Sequence, residues 1–139
     1  MLLHRLGVYD LIFDHAEESL VERFASHVAS GHWASTMCLT EAHAGTDLGI
    51  IRTKAIEQKD GSYLISGQKI FISFGEHNLS ENIVHMVLAK TPGSPPGTKG
   101  ISLFLVPKHL SDENGNLQST TNGVQCNGIE HKMGLHGSP

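Results

Sequence analysis

Two stretches of the sequence carry side chains that could take part in chemistry, and the first is MCLTEAHAGTDLG at residues 37–49. Its small and polar residues suit neither the inside of a strand nor the interior of a helix. Thr40, Thr46 and the amides around Gly45 place donors along a turn-rich backbone, which can line a flat polar ligand or hold a phosphate. Alternatively, Thr40 and Thr46 satisfy a turn or cap and Asp47 caps the next element, which composition alone favours.

The second stretch is GQKIFISFG at residues 67–75, which we interpret as part of a β-strand. Alternation predicts one face with Ile70, Ile72 and Phe74 and another with Lys69, Phe71 and Ser73. An aromatic ring beside a hydroxyl suits a planar heteroaromatic ligand that needs stacking and a hydrogen bond. The alternative is an ordinary half-buried strand with one aromatic residue on its wetter face.

Other chemistry is not indicated by the sequence. The ten histidines include no i, i+4 helical pair of the zinc-protease kind, so we expect no metal site. No Gly-x-Ser-x-Gly nucleophile elbow occurs. In GSPPGTKG, Pro95 and Pro96 remove amides that a phosphate loop would need, which favours a surface connection.

Charge and composition restrict the class of protein. The chain has 139 residues, with 10 Lys and Arg against 14 Asp and Glu, so we expect neither nucleic acid nor an anionic membrane surface as a partner. No apolar run approaches the roughly 18 residues of a spanning helix. Two distant cysteines, Cys38 and Cys126, form no disulfide framework. A reducing, cytoplasmic compartment is therefore predicted.

The hydrophobic period changes once along the chain. Apolar residues at three- and four-residue spacing predict an amphipathic helix over 17–31 that ends at Gly31. Short β-like runs follow at 50–57, 63–73, 82–90 and 100–107, with a weaker run at 123–130, and Asp60-Gly61 marks a hairpin. Successive short strands without helices between them predict a mainly β fold, an antiparallel sheet or barrel with a short helical lead.

Four segments in order resemble one known family. MCLTEAHAGTDLG and GQKIFISFG are similar to the two signatures of acyl-CoA dehydrogenases, GTKGISLFLVPK resembles the strand that follows, and EHKMGLHGSP resembles a later Lys-Met-Gly motif. Within the family, the chain is most similar to the branch that includes 3-methylmercaptopropionyl-CoA dehydrogenases. One departure is Ala42, where the family usually has Pro after the signature Glu.

The resemblance implies a middle β-barrel domain that binds FAD for α,β-desaturation of an acyl-CoA substrate. The residues that it assigns to the cofactor are Met37, Cys38, Leu39, Thr40, Phe71, Ile72 and Ser73. Of these, the Leu39 and Thr40 amides and the Thr40 hydroxyl would face the flavin, Phe71 would pack on it, and Ser73 would donate toward it. Thr46 would touch the CoA portion of the substrate. The family's catalytic base is a carboxylate of the C-terminal domain, so Glu41 is not expected to be the base.

The resemblance also divides the chain. It predicts the tail of an N-terminal helical domain at 1–34 and the middle domain at 35–139, truncated at its end. We expect such a fragment to be inactive alone, the full-length enzyme to be a homo-oligomer, and an unpaired edge to favour self-association of the fragment. The alternative function is a non-catalytic β-barrel remnant that serves as an assembly or interaction module.

Overall fold

The computed structural model describes residues 2–134 and residue 138, and the chain begins with two helical segments. Helix α1 spans Leu2–His15. The second segment consists of α2 (Glu18–Leu20), a π-helical turn (Val21–Ala25) and α3 (Ser26–Ser30). It confirms the helix predicted over 17–31. The helix ends where predicted, because Gly31 has φ of +84°, a conformation that favours glycine at the end of a helix.

Helix α1 was not predicted separately, because its apolar side chains point in two directions. Val8 and Ile12 are buried, whereas Leu6 and Phe13 are exposed. This distribution gives no single apolar stripe of helical period, which is the main sequence signal of an amphipathic helix.

Within residues 2–134, seven strands follow the helical segments. They are β1 (Trp33–Cys38), β2 (Lys54–Glu57), β3 (Tyr63–Ser66), β4 (Asn82–Lys90), β5 (Ile101–Pro107), β6 (His109–Ser111) and β7 (Leu117–Thr121). Short 3-10 helices lie at Leu48–Ile50 and Gly97–Gly100. The prediction of a mainly β body behind a short helical lead is confirmed.

Strand β4 is the centre of the five-stranded sheet. It pairs with β5 in antiparallel register and with β1 in parallel register, from Trp33 opposite Asn82 to Cys38 opposite Val87. Strands β2 and β3 form the predicted hairpin around Asp60-Gly61, and β2 touches the end of β4. The sheet is therefore mixed, rather than antiparallel throughout. Strands β6 and β7 form a separate antiparallel hairpin.

The strand predicted over 63–73 is wrong beyond Ser66. A Cβ atom on Gly67 would lie 2.4 Å from the Thr53 hydroxyl oxygen, so the chain passes Thr53 too closely for any other residue. Phe71 and Phe74 then take φ of +59° and +56°, outside the β region. The predicted alternation of two faces along 69–74 is consequently wrong as well.

Two other strand predictions need correction. Strand β1 was missed, and Met37 and Cys38 are its last residues, contrary to our interpretation of 37–49. Nearly every residue of β1 is buried, and strands buried on both faces show no alternation. The run at 123–130 is not a strand: Gly123 has φ of +69° and Ile129 is exposed. The hairpin of β6 and β7 was missed too.

The core joins the helices to one face of the sheet. Trp33, Val84 and Met86 of the sheet pack against Phe24 and Val28 of the second helical segment, together with α1. The Trp33 ring lies edge-on to Phe24 at 5.6 Å between centroids. The predicted domain boundary after residue 34 falls inside β1, and the division into 1–34 and 35–139 stays a prediction. No helix within 2–134 is both long enough and apolar enough to cross a membrane.

Candidate functional site

The structure brings the two polar stretches into direct contact. The Ile70 amide donates to the Thr40 carbonyl at 2.9 Å, and the Lys69 ammonium donates to the Leu39 carbonyl at 3.1 Å. The first stretch leaves the end of β1, and the second leaves the end of β3. Residues that are about 30 positions apart in the chain therefore lie side by side.

Glu41 is the buried centre of this contact. One carboxylate oxygen accepts from the Arg52 amide at 2.7 Å, and the other accepts from the Thr53 amide, the Thr53 hydroxyl and Lys69 at 3.0, 2.5 and 2.9 Å. Burial disfavours the charged form, but the donors outweigh it: the Thr53 hydroxyl, the Arg52 amide, Lys69 and the Thr53 amide together lower the pKa of Glu41 to about 2. Glu41 is thus a carboxylate whose acceptor capacity is used within the fold.

The backbone after Glu41 forms a tight turn, although Ala42 stands where the family usually has proline. The Glu41 and Ala44 amides and carbonyls bond to each other at 3.1 and 2.9 Å. Asp47 accepts from the Gly49 amide at 2.9 Å, so it caps the following 3-10 helix as the alternative interpretation proposed. The hydroxyls of Thr40 and Thr46 take no part in the hydrogen bonds found within 2–134.

The second stretch carries an exposed aromatic ring on a strained backbone. The Phe71 side chain is 50% exposed, and its left-handed φ costs an L-residue roughly 1–2 kcal/mol. Phe74 has the same conformation, and its amide donates to the Ser138 hydroxyl at 2.8 Å. Residues in strained backbone conformations cluster at active sites and ligand-binding segments.

A broad open concavity of about 1340 Å³ lies beside these stretches. Of the predicted cofactor residues, Cys38, Phe71 and Ile72 line it, together with Lys69. The others, Met37, Leu39, Thr40 and Ser73, do not line it, and neither does Thr46. The structure thus joins the two predicted stretches through the backbone but places only part of the predicted set in the concavity.

A buried polar cluster lies under the same surface. The Thr36 hydroxyl is 2.8 Å from Nδ1 of His85 and 3.4 Å from the Cys38 sulfur. Burial lowers the pKa of His85 to about 4, and burial raises the pKa of the Cys38 thiol. Both groups are therefore neutral near pH 7. Within the described part of the chain, no group of His, Cys, Asp and Glu residues could hold a metal ion.

The sequence pattern did not indicate the roles of Lys69 and Thr53. Lys69 was assigned only to a strand face, and Glu41 was given no role. A signal was present, because Glu41 lies between Thr40 and Ala42 and Lys69 directly precedes an apolar run, and charges in such surroundings are rarely buried unless paired. The sequence alone does not tell which two charges meet.

A mainly β body that joins two such motifs defines the class of this protein. Residues 36–139 match the family model of the acyl-CoA dehydrogenase middle domain. The chain therefore belongs to the acyl-CoA dehydrogenase family, whose members are FAD-dependent flavoprotein oxidoreductases.

Particular relatives support this assignment. The chain is 53% identical over 116 residues to 3-methylmercaptopropionyl-CoA dehydrogenase of Ruegeria pomeroyi. This alignment covers 84% of the chain and 20% of that protein. It is 48% identical over 133 residues to a butyryl-CoA dehydrogenase of Syntrophomonas wolfei. This alignment covers 95% of the chain and 22% of that protein. The chain thus spans about a fifth of the length of these relatives.

A solved structure agrees in fold. A glutaryl-CoA dehydrogenase from Mycobacterium smegmatis, determined in complex with FADH2, superposes with a TM-score of 0.58 at 26% identity. The match covers 73% of this chain and 23% of that one.

Proposed function

We propose that this chain is the FAD- and acyl-CoA-contacting middle domain of an acyl-CoA dehydrogenase that desaturates an acyl-CoA thioester between its α and β carbons. Residues 37–40 and 71–73 face the flavin, and Thr46 contacts the CoA portion of the substrate. The observation that carries the proposal is the direct bond between the two motifs, from the Ile70 amide to the Thr40 carbonyl at 2.9 Å. Because of this bond, the Thr40 peptide lies next to the backbone segment that carries Phe71.

The available groups fit a flavin. Phe71 offers a half-exposed aromatic face, and the hydroxyls of Thr40 and Ser73 are not used by hydrogen bonds within 2–134. A flat heteroaromatic ring with polar edges needs this combination of stacking surface and fixed donors. When bound, FAD supplies the hydride acceptor for the desaturation, and the residues of this chain bind and orient it.

In this proposal Glu41 is not the general base. Glu41 is fully engaged, with a pKa of about 2, so it is a poor proton acceptor near neutral pH. The free thiols Cys38 and Cys126 agree with a reducing, cytoplasmic location, which we include in the proposal.

A titration of FAD fluorescence with the purified chain tests the proposal. We expect saturable quenching that weakens about 3- to 10-fold in Phe71→Ala and about fivefold in Ser73→Ala, the loss of one stacking contact and one hydrogen bond. Phe13→Ala, an equally exposed ring on α1, and Ser119→Ala, an exposed hydroxyl on β7, are the matched controls and should leave the affinity unchanged.

Phe71→Ala, Ser73→Ala and the Ser119→Ala control are also placed in a chimera, in which residues 36–139 replace the matching segment of the Ruegeria pomeroyi relative. Lower flavin content in Phe71→Ala and Ser73→Ala, but not in Ser119→Ala, would support the proposal. Full flavin content in both variants would overturn it. Dimers of the chain that form without FAD, together with unchanged flavin content, would favour the interaction module instead.

A further inference from the structure

The ion pair between Lys69 and Glu41 is placed to control the backbone of the first motif. The Lys69 side chain is 9% exposed and the Glu41 side chain is 5% exposed, so both charges lie almost wholly inside the fold. The ammonium bridges the Glu41 carboxylate at 2.9 Å and the Leu39 carbonyl at 3.1 Å. A buried ion pair contributes little net stability compared with apolar residues of similar volume, but it fixes a geometry when its other bonds are satisfied.

The bond to the Leu39 carbonyl sets the direction of the next amide. In a trans peptide the carbonyl of one residue and the N–H of the next lie in the same plane and point in opposite directions. Lys69 holds the Leu39 carbonyl on the inner side, so the Thr40 N–H is turned outward. Within 2–134 no backbone acceptor receives the Thr40 N–H, which leaves it available to a ligand.

The following peptide is fixed in the same manner. The Thr40 carbonyl accepts from the Ile70 amide at 2.9 Å, and the Glu41 N–H, which points the opposite way in that plane, donates to the Ala44 carbonyl at 3.1 Å. Lys69 and Ile70 are adjacent, so one short segment holds two successive peptide planes of the first motif. The same segment leads directly into the half-exposed ring of Phe71.

We infer that Lys69 is a positioning residue that orients the Thr40 amide for the flavin, and that Glu41 holds Lys69 in place for this task. The inference rests on the proposed function, because it names the residues that prepare the flavin-facing backbone. Neither side chain needs to touch the cofactor, so neither is a catalytic residue.

Lys69→Met tests this inference, because it keeps the length of the side chain and removes the ammonium. The FAD-free chain is examined first, by the ¹³C shift of the Leu39 carbonyl and the hydrogen exchange of the Ile70 amide. We expect the carbonyl shift to change and the exchange to speed up. In the FAD titration we expect about tenfold weaker binding and an altered flavin absorption spectrum.

Lys90→Met is the matched control, because Lys90 also donates to a backbone carbonyl, that of Gly49 at 2.6 Å. It should leave the Leu39 carbonyl shift and the flavin spectrum unchanged. Lys69→Arg should keep at least part of the FAD affinity, because a cation still reaches Glu41. Glu41→Gln, which retains an acceptor for the Thr53 donors, serves if Lys69→Met does not fold.

The outcomes separate the two proposals. A Lys69→Met chain with the parent's carbonyl shift, Ile70 exchange, FAD affinity and spectrum would overturn the positioning role. If the parent chain and the chimera bind no FAD, the proposed function fails. The positioning role is then judged by the Leu39 and Ile70 measurements alone: altered values support the clamp on the Thr40 peptide, and parental values refute it.

Discussion

Glu41 makes the stability of the protein depend on pH in the acid range. Its pKa is about 2 in the folded chain, against an ordinary value of 4.5. The folded state therefore binds fewer protons than the unfolded state between these values, and acid favours unfolding. The stabilisation is complete above pH 4.5 and is lost as the pH falls through about 2. The difference between the two pKa values corresponds to about 3 kcal/mol.

Glu41→Gln should remove this part of the pH dependence. We expect the free energy of unfolding of the variant to lie about 3 kcal/mol below that of the parent at pH 6, and the gap to close as the pH approaches 2. Urea unfolding at a series of pH values measures both curves. Glu57→Gln, a change at an exposed carboxylate on β2, is the control and should run parallel to the parent. A constant gap between Glu41→Gln and the parent would contradict the assigned network.

At the scale of single residues, the sequence predicted the two motifs but not the contacts between them. Thr40 and Phe71 belong to these two motifs, which the structure joins through the Ile70 amide and the Thr40 carbonyl. The Lys69–Glu41 pair was not predicted, because a local pattern shows which charges are flanked by apolar residues and does not show which charges meet. The site roles of the predicted flavin-facing residues stay predictions.

At the scale of elements, the segment after β3 is governed by backbone strain. Phe71 has φ of +59°, where alanine is disfavoured relative to glycine by about 1 kcal/mol. We therefore expect Phe71→Gly to be more stable than Phe71→Ala by up to about 1 kcal/mol, as measured by thermal or urea unfolding. Elsewhere the order is usually the reverse, because glycine has the greater entropy in the unfolded chain.

Phe13 provides the comparison for this reversal. It is an exposed phenylalanine inside helix α1, where alanine should be more stable than glycine by about 1 kcal/mol. The same pair of substitutions should thus change sign between the two positions. Equal signs at Phe71 and Phe13 would show that the left-handed conformation at Phe71 does not persist in solution.

Strand limits were predictable where the chain is regular. The run at 82–90 coincides with β4, because it is a long apolar run that turn residues bound on both sides. The end of β3 was not predictable in this manner, since the residues from Lys69 to Ser73 alternate as a strand would. They leave the sheet because Gly67 passes close to Thr53 and Lys69 turns inward to Glu41. Tertiary contacts here override a local pattern.

At the scale of the whole molecule, the sheet order could not be derived from the pattern of strands. Strands β1 and β4 are parallel neighbours, although the β2–β3 hairpin separates them in sequence. Successive short strands favour antiparallel neighbours, which is correct for β2 with β3 and for β4 with β5. The helices cover the face of this parallel pair that carries Trp33 and Val84.

Because the helices pack on one face of the sheet, we expect the helices and the sheet to unfold together. Trp33 is the single tryptophan of the chain, it belongs to β1, and its ring stacks on His27 of α3 at 4.2 Å between centroids. Its fluorescence therefore reports the helix–sheet contact, whereas far-UV circular dichroism reports the helices and strands themselves. We expect the two signals to give one coincident transition in urea.

Phe24→Ala should shift that transition without splitting it. Phe24 is buried against Trp33, and its removal should cost about 3–5 kcal/mol, whereas Phe13→Ala on the exposed side of α1 should cost far less. Separate transitions, with the helical signal lost before the fluorescence change, would show that residues 1–34 form a unit of their own, as the predicted domain division implies. A single shifted transition would instead show that the helical segments and the mixed sheet share one cooperative core. The two joined motifs would then depend on that core as well.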